Sequence, residues 1–89
     1  MSFEAVYGLA DVKKVVGAKQ TAKAIEKGTA EKVFFAQDAN RRIIAPVLEL
    51  CERAGVPALP VPTMAELGKA CGIEVGAAAV AVLKTPAKG

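Results

Sequence analysis

The 89-residue chain contains no histidine and no tryptophan, and its only serine is Ser2. Without imidazole, the usual base for a serine or cysteine nucleophile is missing. Aromatics are scarce, three Phe and one Tyr, so a core must be built from Ala, Val, Leu and Ile. The two cysteines, Cys51 and Cys71, stand twenty residues apart with no CxxC pair. They are too few to hold zinc. The N-terminus, MSFEAVYG, has no basic region or long apolar stretch. The expectation is therefore a soluble cytoplasmic protein with two reduced, buried thiols. The longest apolar run, residues 72–83, is interrupted by Glu74 and is too short to span a bilayer. A Walker loop is also absent: Gly17-Ala18-Lys19-Gln20 lacks Gly-Lys-Ser/Thr, and Val12 stands where an earlier glycine is needed. No catalytic residue, metal or cofactor is called for, and the chain does not read as an enzyme.

What is present is a chain that is 53% hydrophobic, enough for a core and enough to exclude disorder. Its length suits one domain, expected over 1–84, with 85–89 as a fraying tail. Net charge is +3 and the pI about 9.0, which permits nucleic-acid binding without demanding it. The distribution is more telling. Lys13, Lys14, Lys19, Lys23 and Lys27 face only Glu26 within residues 13–27, five charges against one, or +4.

That charge centres on residues 17–28, GAKQTAKAIEKG. The pattern predicts a glycine turn, a helix over 19–27 and a left-handed stop at Gly28. Lys19, Lys23 and Lys27 fall at i, i+4 and i+8 along one edge. Ala18, Ala22 and Ile25 provide a narrow core face. Gln20 sits in the first turn beside Lys19. Donors thus gather near free N–H groups at a helix N-terminus, a ready site for phosphate. The same spacing also describes an ordinary solvated surface helix.

Around this segment the elements alternate. Ser2 caps a first helix reaching Leu9 or Asp11, with Phe3, Val6, Tyr7 and Ala10 on one face. Val15-Val16 serves as a short strand or as the lead-in to the turn. Residues 33–36, Val-Phe-Phe-Ala, predict a buried strand. Asn40 can cap the next helix. Because Pro46 would break a regular helix, that helix is expected to start near Pro46, with 41–45 an irregular turn. Pro57, Pro60 and Pro62 restrict 56–62 to a short extended segment at a sheet edge. Thr63-Met64-Ala65-Glu66 is a capping box, and its helix stops at Gly72. Residues 77–83, AAAVAVL, predict a strand covered by helices on both faces. The order implies an α/β fold, a three-layer α/β/α sandwich with a small mixed sheet in a single domain.

Gly72-Ile73-Glu74-Val75-Gly76 carries two apolar residues in a loop. An apolar loop turns inward to cap a core, or it presents Ile73 and Val75 to a partner. On the second reading Ile73→Asp impairs binding with little change in melting temperature; on the first the melting temperature falls.

Two segments, GAKQTAK at 17–23 and LGKACGIEVGAAAVAV at 67–82, resemble the paired signatures of one family. The middle, FAQDANRRIIAPVLELCERAGVPALPV, fits as well. This is the superfamily of kink-turn RNA-binding ribosomal proteins, of the archaeal "L-seven-Ae" and "L-thirty-e" type. The chain is most similar to its short bacterial members. The resemblance covers nearly the whole chain and implies recognition of RNA bent sharply at tandem sheared G·A pairs. It assigns RNA contacts to Gly17, Lys19, Gln20, Thr21 and Lys23, and to Gly72, Ile73, Glu74, Val75 and Gly76. Ile73 and Val75 would lie near the extruded base. Lys19-Gln20 stands where the archaeal type has Asn-Glu. An acid only accepts hydrogen bonds, whereas glutamine also donates, so the guanine contacts should differ. The expectation is a monomeric clamp on structured RNA, ribosomal or another noncoding RNA. The competing reading is a protein–protein scaffold module of a ribonucleoprotein.

Overall fold

The computed structural model describes Leu9 and residues 12–84. The expected opening helix therefore lies outside the described residues except for Leu9, as does the tail. The elements are β1 (Lys14–Val16), α1 (Ala18–Lys27), β2 (Ala30–Ala36), α2 (Arg41–Ala54), β3 (Ala58–Val61), α3 (Met64–Ala70) and β4 (Ala79–Leu83). The strands form one four-stranded sheet in the order β1-β4-β2-β3. β4 runs antiparallel to β1 and β2, while β3 runs parallel to β2. Hence β1, β2 and β3 point one way. α1, α2 and α3 all begin at the carboxyl ends of these strands, where β4 also starts. In open α/β sheets that end is where ligands bind.

The alternation of β4 explains the two helical layers. Ala79 and Ala81 face α1 and α2, packing with Ala24, Ile25, Ile44, Val47 and Cys51. Their small side chains let both helices approach the sheet closely. Val80 and Val82 point the other way, to Leu9, Phe34, Leu67 and Ala70. Each buried valine of this kind contributes roughly 1.5–3 kcal/mol. The result is the expected sandwich, with α1 and α2 on one face and α3 with Leu9 on the other. No helix among the described residues is long and apolar enough to cross a membrane.

Of the two readings for Val15-Val16 the strand holds: Val15 pairs with Ala81 and Val16 with Val80. Other elements differ from the sequence expectation. β2 begins at Ala30, ahead of the expected Val33, because an irregularity between Ala30 and Lys32 lets polar Glu31 bulge outward while pairing with β4 continues. The last strand starts at Ala79 and not at Ala77, since the Ala77 N–H is drawn to the Met64 carbonyl at 3.1 Å. The largest correction concerns Pro46. α2 is continuous from Arg41 to Ala54 and carries Pro46 inside it. Arg42 and Pro46 are both exposed, so proline's missing donor falls on the solvent face of the helix and not in the core. The Asn40 side chain caps this helix by accepting from the Arg42 N–H at 2.8 Å. Pro60 sits in β3, at the sheet edge, where its missing N–H is harmless.

Replacing Pro46 by Ala restores one helical hydrogen bond on a solvent face. Pro46→Ala should raise the unfolding free energy by on the order of 1–3 kcal/mol in urea titration, with an unchanged slope.

Candidate nucleic-acid interface

Gly17 opens α1 with φ 113° and ψ 147°, a conformation that side chains resist. Its N–H donates to the Ala79 carbonyl at 2.8 Å, and its own carbonyl accepts from Thr21 N–H at 2.9 Å. No side chain caps this helix and no acid stands in its first turn. The positive end of the helix dipole is therefore left open. Lys19, Gln20 and Lys23 are exposed around it. Thr21 is the exception: it is fully buried, and its hydroxyl has no hydrogen-bond partner among the described residues. Ala18, Thr21 and Ile25 share one stripe of the helix, so Thr21 faces the sheet. The core face is thus Ala18, Thr21, Ala24 and Ile25, and Ala22 is only half-buried.

The second predicted segment follows α3. Gly72 adopts φ 80°. Its N–H donates to the Lys69 carbonyl at 3.0 Å, and the Ile73 N–H donates to the Gly68 carbonyl at 3.1 Å. This pair of bonds is a Schellman motif, which normally buries the apolar residue after the glycine. Ile73 accordingly turns inward, half-buried against the core. Glu74, Val75 and Gly76 face solvent, Val75 at 69% exposure. The loop is thus neither wholly inward nor wholly outward.

The bond from Gly17 to Ala79 sets both segments at one end of the sheet. The same end holds the start of α2, where Arg41 and Arg42 are exposed. No acid in the first turn of α2 offsets them. Cations at a helix N-terminus cost about 0.3–1 kcal/mol each, a cost that an incoming anion relieves. Asp38 lies nearby, but its carboxylate accepts from the Met64 N–H at 2.8 Å and so caps α3. Thr63 caps the same helix through the Glu66 N–H at 3.0 Å, forming the Thr63 half of the expected capping box.

As the lysine spacing predicts, Lys23 and Lys27 share one edge of α1; with Gln20 they line a 290 Å³ groove over Val15 and Leu83 that runs toward the far end of the helix. Two exposed residues that no motif marked add to the site end. Met64, 36% exposed, and Ile43, 47% exposed, extend the apolar surface. Only the tertiary contact of Met64 with Gly76 places it beside the loop. A separate 400 Å³ cleft beside α2 is lined by Arg41, Ile44, Leu48 and Glu49 among others. Both thiols are free and buried. Burial pushes them above the usual thiol range, with Lys14 partly opposing this at Cys71. Neither is a ready thiolate nucleophile.

A model of the ribosomal protein L7Ae/L30e/S12e/Gadd45 family matches residues 6–88. The chain belongs to this family. An RNA-binding protein of Geobacillus sp. (strain WCH70) is 49% identical over 84 residues, covering 94% of this chain and all of that protein. The RNA-binding protein YbxF of Geobacillus stearothermophilus is 48% identical with the same coverage. Among solved structures, the Giardia lamblia 15.5kD RNA binding protein superposes with a TM-score of 0.78 at 26% identity. That match covers 93% of this chain and 66% of the Giardia chain. The L7Ae/L30e/S12e/Gadd45 match takes in both glycine-led segments, 17–23 and 72–76.

The inward and outward halves of the loop should separate on mutation. Ile73→Asp should lower stability by about 1–3 kcal/mol, because it forces a charge against the core. Val75→Asp should leave the melting temperature nearly unchanged. Thermal unfolding of both variants checks this, and equal losses would contradict the loop geometry.

Proposed function

We propose that this chain is a structured-RNA-binding protein, not an enzyme, that recognises and stabilises kink-turn motifs with tandem sheared G·A pairs. It acts as a cytoplasmic monomer, with residues 1–84 as the binding domain. The observation that carries this reading is the pairing of two surfaces at one sheet end. One is an uncapped helix N-terminus flanked by Lys19, Gln20 and Lys23; the other is an apolar loop tip at Val75. Family membership and the names of the relatives support it.

The chemistry suits a kinked RNA. A sharp bend concentrates phosphate charge, which the lysines neutralise. Gln20, next to the open helix end, both donates and accepts, so it can read a base edge in the widened groove. Gly17 brings the backbone close. Val75 offers an apolar face to an unstacked base, and Glu74 and Gly76 border it. RNA recognition often targets such irregular features by shape. Ile73 and Thr21 act from beneath, Ile73 by anchoring the loop and Thr21 by seating α1. Gly72 supplies the turn. Binding selects the bent form from a kinked–open equilibrium, which makes the protein a clamp.

The deciding experiment is a titration against two RNAs at two salt concentrations. One RNA carries a kink-turn with intact G·A pairs; the other has Watson–Crick pairs in their place. Tight, salt-sensitive binding to the first alone is expected. Equal weak binding to both would overturn motif recognition and favour the scaffold reading. Within this assay Lys23→Ala should weaken binding and reduce the salt slope by about one; an unchanged slope removes Lys23 from the phosphate contacts. Gln20→Ala should reduce discrimination between the two RNAs more than it reduces stability, and equal loss for both RNAs argues against base reading.

A further inference from the structure

α3 contains a glycine, Gly68, that its backbone does not require. It is buried and helical, with no positive φ. A glycine inside a helix weakens it relative to alanine. The reason for Gly68 is space. A Cβ there would overlap the Val75 carbonyl oxygen, and it would lie 3.0 Å from the Val75 carbonyl carbon and 3.2 Å from Gly76 Cα. After the Schellman turn the chain doubles back along α3, so that its backbone lies directly on the helix. It is held at the far end by the Ala77 N–H, which donates to the Met64 carbonyl at 3.1 Å. Gly76 makes the second close approach: a Cβ on it would sit 3.1 Å from Met64 Cβ. Residues 72–77 thus form a strap fastened at both ends and pressed flat in the middle.

We propose that Gly68, with Gly76 as a second hold, is a positioning residue for RNA recognition, fixing the depth and direction at which Val75 meets an unstacked base. The proposal rests on the kink-turn reading. A side chain at Gly68 must push the Val75 carbonyl outward, because backbone cannot rotate away as a flexible side chain does. The bonds at Ile73 and Ala77 hold the ends, so the displacement concentrates at Glu74 and Val75. Neither Gly68 nor its carbonyl needs to touch RNA for this to matter.

The test compares the wild-type protein, Gly68→Ala and Val75→Ala. The probes are a kink-turn RNA with intact G·A pairs and its extruded nucleotide, the same RNA with that nucleotide abasic, and the Watson–Crick control. Wild type should prefer the intact kink-turn to the abasic one. Gly68→Ala should lose about tenfold in affinity for the intact RNA, the scale of one buried valine contact, and so lose that preference as Val75→Ala does. Its affinity for the abasic RNA and its salt slope should stay at wild-type values. A wild-type ratio in Gly68→Ala overturns the proposal alone. So does an equal loss on both kink-turn RNAs, which marks a merely structural role. A wild-type protein that fails to prefer the kink-turn over the Watson–Crick control overturns the functional reading itself, and the proposal with it. Should Gly68→Ala fold only in part, the comparison is run at a lower temperature and referred to its folded fraction from circular dichroism; a wild-type ratio there overturns the proposal equally.

Discussion

The hydrogen bond from the Gly17 N–H to the Ala79 carbonyl, 2.8 Å long, ties the start of α1 to the start of β4. It fixes where α1 starts against the sheet. It joins segments some sixty residues apart, the first turn of α1 and the strand into which the strap after α3 leads. Only a glycine serves here, because φ at this position is 113°. The bond also lets β1 end and α1 begin without an intervening loop. Lys19, Gln20 and Lys23 therefore project from a rigid first turn.

Around that bond the sheet does two different jobs. Its Ala79 and Ala81 face admits two helices at close range, while its Val80 and Val82 face supplies bulk beneath α3 and the strap. Three parallel strands then deliver the N-termini of α1, α2 and α3 to one end. Two of these termini carry cations, Lys19 on one and Arg41 with Arg42 on the other, and no first-turn acid. The third is closed by Asp38 and Thr63. Only the α1 terminus is without a side-chain cap; α2 is capped by Asn40, and the helix that supports the strap is capped by both Asp38 and Thr63.

Much of this was legible in the chain itself, and the exceptions have identifiable causes. The glycine-bounded helix, the Asn40 and Thr63 caps, the edge placement of Pro60 and the two-sided burial of 79–83 all follow from local rules. β1 stayed ambiguous because three residues carry too little period to tell a strand from a linker. Pro46 points to a helix break in the sequence because proline removes a backbone donor wherever it stands; its position on an exposed face, which lets the helix continue, is set by tertiary structure. Thr21 is an RNA contact on the resemblance alone, although its position three residues after Ala18 and four before Ile25 puts it on the core stripe. Met64 and Ile43 carried no local signal at all. Their exposure is a product of how α2 and α3 meet the sheet end.

The loop at 72–76 is ordered by bonds made within the chain, which bears directly on the recognition role proposed for it. A mobile apolar loop would lose ordering entropy on binding, and that loss subtracts directly from affinity. Here the ordering is done during folding. The Schellman bonds, the buried side of Ile73 and the flat contact at Gly68 are intramolecular, so they hold the strap whether or not a partner is present. What remains outside is little more than Glu74, Val75 and Gly76. The helix gives up some intrinsic stability by carrying Gly68, and in exchange the apolar tip at Val75 is held in place before any contact. On the proposed kink-turn reading, a tip held this way rewards a base that is already unstacked and gains little from one that is still paired.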